Sequence, residues 1–543
     1  MKNARRRTLC RLLLLLLSMA ALSCRHGEPK IEAPAETPAA TAEPAQTQTH
    51  APETEQSHAF TAPEEGCIIA FPDRPLYQYD MDLILNEEEH TVSGHVIFTF
   101  YNDSEDSWDK LCMRDYPSLF TDPEPVGYDS SMELFGALTE IVNITDAGDG
   151  AALAYERDDD VSVIWLHLQK PLAPNEWMTL SYDFTATIPH VADRFGYEAG
   201  VFNVTNFYPI LAEYADGEWS HAAFYDVGEC FFSEVADYDV KLTVPAGFTV
   251  AATGTETGKT ETDDAVTVTV HAPCVRDFVF SASGSFVWTD AVFDGVHVNV
   301  LYNAESQPVS DMSQPVEAVF RAAEGALSAF GTAFGKYPYE ELDVVLAPIY
   351  AGGMEYPNLV IIADMLCDPA YRRYASEDKP YQRLTNCVVH EIGHQWFMGI
   401  IGNNSGMQPW LDESFASYSE LVYSEFLGDP DSDQKEMIAE WNLSDPVKLK
   451  KLKNSICVPI NRAYYDFASS LLYERAVYSL GEAVLFRMEE ILGEREFHAV
   501  LREYVHRNAF TNAEPSDFFD VLFAYAGTDN AALNELVDAV FDL

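Results

Sequence analysis

The sequence predicts a multidomain α+β protein: an N-terminal antiparallel β domain followed by a mostly helical domain. Three observations predict it. The chain has 543 residues, more than one hydrophobic core accommodates. From about residue 64 to residue 304, apolar residues repeatedly alternate with polar ones, the period of half-buried strands. From about Ser313 the apolar spacing becomes helical. Apolar content of 47% and aromatic content of 13% are those of a folded globular chain.

The N-terminus carries Lys2, Arg5, Arg6, Arg7 and Arg11 around a run of leucines, Leu12–Leu17, and the apolar stretch stops near Leu22. It is roughly half the length a membrane-spanning helix needs. A basic start and a short apolar run predict a signal peptide over residues 1–24. The run ends in Ala21-Leu22-Ser23-Cys24, which resembles a bacterial lipoprotein signal in which Cys24 becomes the acylated mature N-terminus. Leu22 stands where a small residue is usual there, and Ala21 where leucine is usual. The expectation is an exported protein held at a membrane by a lipid anchor, or otherwise secreted. Residues 25–63 are rich in Pro, Ala, Thr and Glu with few large apolar residues, so they read as a disordered linker.

The β domain is expected over residues 64–304. Val96, Phe98 and Phe100 lie in a β-rich run that ends at Asn102-Asp103-Ser104. Val240, Leu242 and Val244 alternate with Lys241 and Thr243 before the turn Pro245-Ala246-Gly247. Val266, Val268 and Val270 alternate with threonines, and Val296, Val298 and Val300 with His297 and Asn299. Residues 305–543 are expected to form the second domain. Val316, Val319, Phe320, Ala323, Leu327 and Phe330 share a helical face, with Pro315 suited to a first turn. A short strand is expected over 342–347, then helices over about 381–398, 412–426 and 482–492, the last closed by Gly493.

Composition excludes one class of partner. The formal charge is −54, from 33 basic and 87 acidic residues, whereas nucleic-acid binding needs clustered Lys and Arg. Nine cysteines are spread widely without a C-x-x-C pair, which argues against a disulfide framework.

The chemistry concentrates in His390-Glu391-Ile392-Gly393-His394. On a helix, positions four apart lie on one face, so both imidazoles can grip one cation while Glu391 stands beside it. This is the H-E-x-x-H pattern of zinc proteases. Glu413, in Trp410-Leu411-Asp412-Glu413, is the candidate third ligand. Three protein ligands leave one position open, as in a catalytic zinc site. Glu391 is then the base toward water. Glu420, two helical turns after Glu413, can accept a hydrogen bond from a ligand histidine.

The spacing His390-Glu391-x-x-His394, eighteen intervening residues, then Glu413 resembles the gluzincin aminopeptidases, the family of aminopeptidase N. Gly352-Gly353-Met354-Glu355 resembles that family's G-x-M-E-N motif. Gln395-Trp396-Phe397, Phe207-Tyr208-Pro209 and Ser233-Glu234-Val235 also look like family positions. The resemblance implies a thermolysin-like catalytic domain, one zinc ion, and peptide substrates bound by a free N-terminus. It implies that Glu355 meets the α-amine, that Gly352, Gly353 and Met354 line the substrate, and that a tyrosine three residues before a helix-opening glycine stabilises the oxyanion. Tyr478, before Gly481, fits; Tyr473 is the alternative. Tyr356 and Ser414 depart from the family's asparagine and glycine. The chain ends soon after Tyr478, so the family's usual C-terminal helical domain is expected to be missing. Two other readings remain: a zinc endopeptidase, and a surface lipoprotein that binds peptides without cutting them.

Overall fold

Tyr77–Asn86 (β1) and Thr91–Tyr101 (β2) alternate buried and exposed side chains and pair as an antiparallel hairpin. They stand inside an eight-stranded sheet with Trp177–Thr187 (β3), Ala236–Pro245 (β4) and Ala265–Val275 (β5), in the order Thr255–Glu261, β5, β4, β1, β2, β3, Glu140–Asp146, Ala151–Ala152. The pairing is antiparallel throughout except at β1 and β4, which run parallel. Register explains the core. Tyr79 lies opposite Phe98 on one side and Tyr238 on the other, and its ring stacks on both, at 4.1 and 4.8 Å. Aromatic neighbours in cross-strand positions contribute beyond their buried area.

The computed structural model describes residues 63–122, 125–128, 131–215, 217–224, 231–305, 307–371, 380–428 and 433–543. The expected signal peptide, Cys24 and nearly all of the expected linker lie outside the described residues. The six described cysteines, Cys67, Cys112, Cys274, Cys367, Cys387 and Cys457, are free thiols.

A second sheet has five strands. It joins Phe286–Phe293 (β6) and Val296–Asn303 (β7) to Glu341–Ala347 (β8), Gly353–Tyr356 (β9) and Leu359–Ala363 (β10), in the order β6-β7-β8-β10-β9. β7, β8 and β10 run parallel. β9, cut from the Gly352–Glu355 motif, is an antiparallel edge strand. The position near 304 expected to separate two domains therefore falls between β7 and the elements that follow it, with β7 already paired to β8.

Ser313–Ala333 (α1) buries Val319, Ala323, Leu327 and Phe330 of the predicted face and half-buries Val316 and Phe320, and Pro315 stands in its first turn. Gln382–Gly393 (α2) and Trp410–Phe426 (α3) carry the motif residues. A π-helical turn, Arg475–Leu480, leads into Gly481–Leu492 (α4). Gly493 ends α4 with a φ of 89°, a left-handed value glycine adopts without a Cβ penalty.

α2 stops at Gly393 rather than running on to Met398 as the sequence suggested. The reason is local. The Phe397 carbonyl accepts a 3.0 Å hydrogen bond from His394 Nδ1, Met398 takes a φ of 122°, and the Gly399 amide returns to the His394 carbonyl.

Candidate active site

Helix α2 presents His390, its C-cap residue is His394 one turn on, and α3 brings Glu413 against them. His390 Nε2, His394 Nε2 and Glu413 Oε2 form a triangle with each side 3.3 Å. The other nitrogens are already engaged. His390 Nδ1 lies 3.1 Å from Glu420 Oε1, and His394 Nδ1 lies 3.0 Å from the Phe397 carbonyl. Both partners are acceptors, so both Nδ1 atoms carry the proton and both Nε2 atoms offer a lone pair. Three lone pairs thus face one another in a buried place. They repel unless a cation sits among them. Ligands about 2.0–2.1 Å from a tetrahedral zinc ion stand about 3.3–3.4 Å from each other, and the triangle has that edge.

Where no metal is held, a proton takes the cation's place, and an Nε2 atom then carries hydrogen rather than a lone pair. Burial opposes charge on His390, but its hydrogen bonds to Glu413 and Glu420 outweigh burial and hold its pKa well above the ordinary value. His394 is likewise carried up to about 10, against burial, by Glu355 and Glu413. Burial would raise Glu413, yet the two histidines pull it well below the carboxylate range. The site attracts positive charge.

Glu391 is 5% exposed and lies against Gly353. A Cβ on Gly353 would stand 2.2 Å from Glu391 Oε1, so only glycine lets that carboxylate sit there. Glu355, Glu391 and His394 bring ligand-type atoms within 4.8 Å of one another. Met354 is buried in β9, and Gly352, just before the strand, is exposed. Tyr478 stacks on His390, with ring centroids 5.8 Å apart and planes 13° apart, and its hydroxyl donates to Glu413 Oε1. Tyr473 stands behind it, ring centroids 6.0 Å apart.

Several supporting residues carry no spacing signal of their own. Gln434 donates to Glu420. Asp412, pushed up to about 7 by burial and then by Glu413, accepts from Ser405 and Asn403. Gln395, quoted above only as part of a motif, bridges α2 to the edge strand: its Oε1 accepts from the Asn358 amide at 2.9 Å, and its Nε2 donates to the Tyr356 carbonyl at 3.0 Å. Ser414 donates to the Val477 carbonyl at 2.6 Å. The Tyr356 hydroxyl donates to Asn206 Oδ1 at 2.9 Å and lies 2.8 Å from the Thr205 hydroxyl, tying the edge strand to the β half. Sequence flagged Tyr356 and Ser414 only as departures from a motif; their partners, and those of Gln395, are remote in the chain.

Residues 320–542 match the peptidase family M1 domain. "Aminopeptidase 2" of Candida albicans is 30% identical over 213 residues, covering 38% of this chain and 22% of that protein. "Aminopeptidase N" of Oryctolagus cuniculus is 28% identical over 200 residues, covering 34% of this chain and 19% of that protein. The chain thus aligns with about a fifth of the length of these curated relatives. The crystal structure of an M1 zinc metallopeptidase from Deinococcus radiodurans superposes with a TM-score of 0.59 at 18% identity, covering 88% of this chain and 96% of that one. A two-domain M1 zinc metallopeptidase variant bound to L-arginine superposes with a TM-score of 0.59 at 19% identity, covering 88% and 97%. These likenesses establish the fold: a β-sheet domain followed by a largely helical region.

Proposed function

We propose that the chain, whose residues 320–542 match the peptidase family M1 domain, is a zinc-dependent aminopeptidase that releases N-terminal residues from peptides. The observation that carries the proposal is the triangle of three lone pairs, each 3.3 Å from the next, set beside the buried carboxylate of Glu391.

His390, His394 and Glu413 would hold the metal. Zinc, when bound, supplies Lewis acidity toward water and a substrate carbonyl. The chain's own groups do the rest. Glu391 takes a proton from water and passes it to the departing amine. Tyr478 donates its phenolic hydrogen toward the oxyanion that develops on the substrate carbonyl. Glu355 pairs with the substrate's α-ammonium, which limits cleavage to free N-termini. Glu420 accepts from His390 Nδ1 and fixes the tautomer that leaves Nε2 to the metal.

The test is hydrolysis of aminoacyl fluorogenic amides with and without a chelator. Turnover should vanish with chelator and return with zinc, and Glu391→Gln should keep the metal while losing about 10²–10⁴-fold in turnover. Normal turnover by that variant would refute the mechanism. Equal cleavage of N-terminally blocked and free peptides would replace the exopeptidase reading with an endopeptidase one.

Residues 1–63 suggest export and a lipid anchor at Cys24. Among the described residues no helix is long and apolar enough to cross a membrane. Labelling with a radioactive fatty acid in a bacterial host should mark the parent chain and not Cys24→Ser; equal labelling of the two would remove the anchor.

A further inference from the structure

The β half meets the helical half at a cluster built on one amide. Asn512 lies in the short strand Thr511–Asn512, which pairs with Ile401–Gly402, soon after the turn that ends α2. Its Oδ1 accepts from Arg276 Nη1, which fixes the way the amide faces. Its Nδ2 then meets two acids of the β half, donating to Glu234 Oε1 at 2.9 Å and to Glu213 Oε1 at 3.1 Å. Both glutamates are half-buried.

Two carboxyl groups thus share one neutral NH2 group. Arg276 stands beside them with its N–H groups directed elsewhere. Among the described residues these go to the carbonyls of Ser233, Met398, Gly399 and Thr511 and to the Asn512 amide. The surroundings leave the pair short of positive charge. Arg276 and Glu514 face Glu213; Arg276, Asp103, Arg74 and the Tyr77 hydroxyl face Glu234; Cys274 and Tyr339 face Arg276. Two guanidinium groups therefore stand among four carboxyl groups. Like charges held on one donor away from water oppose each other, and a proton taken by one relieves both. Burial and then Glu234 carry Glu213 up to about 8. Burial also raises Glu234, against the pull of Arg276.

We propose that Glu213 and Glu234 form a proton-held clamp between the two halves: one proton shared by the pair keeps both acids on Asn512, and its release as pH rises loosens the joint. The proton belongs to the pair rather than to either residue. The sign follows from linkage. An unfolded glutamate releases its proton near 4.5, the folded pair near 8. The clamp's contribution is therefore full below about 4.5 and is lost progressively as pH rises through about 8.

The test is the melting temperature of the full chain between about pH 5 and about pH 9, for the parent, Glu213→Gln, Glu234→Gln and the double variant. Glutamine keeps a carbonyl acceptor for Asn512 and stands in for the protonated acid. Each single variant should gain on the parent as pH rises, by about 1–2 °C per pH unit up to about 8, and hold that lead above it. The double variant should add no further pH dependence, because one proton is shared. Single variants whose profiles run parallel to the parent's would overturn the proposal. So would single effects that sum in the double variant, the mark of two acids titrating independently. If one glutamine prevents folding, the other single variant still decides by its profile. The readout needs no hydrolysis, so it holds whether or not the chain is an aminopeptidase.

Discussion

Gly353 has no room for a methyl group. A Cβ there would overlap the Glu391 carboxylate, 2.2 Å from Oε1 and 2.4 Å from Cδ. The conflict involves the side chain proposed as the base. Gly353→Ala should therefore lower kcat by about 10²-fold, the scale of a misplacement near 1 Å, while metal content stays near one zinc per chain. Steady-state kinetics beside elemental analysis checks this, and an unchanged kcat would mean that Glu391 need not sit where it is. Glu420 supports a different property. It fixes His390 through Nδ1 at 3.1 Å, so Glu420→Ala should weaken zinc binding about 10–100-fold, read by competition with a chromophoric chelator. At this scale sequence was a good guide wherever residues act through short, fixed spacing. His390, Glu391 and His394 announce each other because one helical turn places them, and Glu413 and Glu420 share a face for the same reason. The contact of Gly353 with Glu391 was not legible, because it joins a strand edge to a helix 38 positions later.

Between elements, the turn bearing Tyr478 is held from α3. Ser414 follows the candidate ligand Glu413 directly, and its hydroxyl donates to the carbonyl of Val477 at 2.6 Å. A Cβ on Gly481 would lie 2.0 Å from the Ser414 oxygen, so the serine and the glycine are fitted to each other. Ser414→Ala should lower kcat several-fold and barely change KM, because it loosens the proposed oxyanion donor without touching the amine site. A change confined to KM would contradict that. A second α3–α4 contact sets a pH response. Tyr418 donates to Glu489 at 2.6 Å, and burial pushes the Glu489 carboxyl up to about 7. A raised carboxyl pKa gives stability that is full below the unfolded value, near 4.5, and fades as pH rises through about 7. Glu489→Gln keeps an acceptor for Tyr418 and removes the titration. Its melting temperature should fall less than the parent's across that window, where one proton is worth at most ~1.4 kcal/mol per pH unit. Parallel melting profiles would exclude Glu489 as the source. Helix interiors were legible from their apolar spacing; the end of α2 was not, since the Phe397 carbonyl that turns it is recruited by a histidine side chain.

Across the whole molecule, Arg276 joins the two halves. It leaves the β half and donates through Nε to the Met398 and Gly399 carbonyls at 2.7 and 3.2 Å, and through Nη2 to the Thr511 carbonyl at 2.7 Å. A Cβ on Gly402 would stand 2.1 Å from its guanidinium carbon. Arg276→Met leaves those buried carbonyls without their donor, a loss of at least about 3 kcal/mol. Unfolding should then split into two calorimetric transitions where the parent shows one; a single transition at the parental temperature would deny the arginine this role. The β-then-helix order was legible from the change of period near Ser313. The joint was not, because an isolated arginine just past the end of a strand gives no sign of whose carbonyls it reaches.

The five-stranded sheet also bears on how the molecule can be divided. β7 pairs with β8 along its length, so a fragment starting at residue 305 would strip β8 of its neighbour and leave a bare parallel edge, the template on which chains stick together. A soluble catalytic fragment should instead begin before Phe286, taking the β6–β7 hairpin with it. The cut that frees the chemistry from the rest of the chain lies upstream of the point where the pattern of the residues changes.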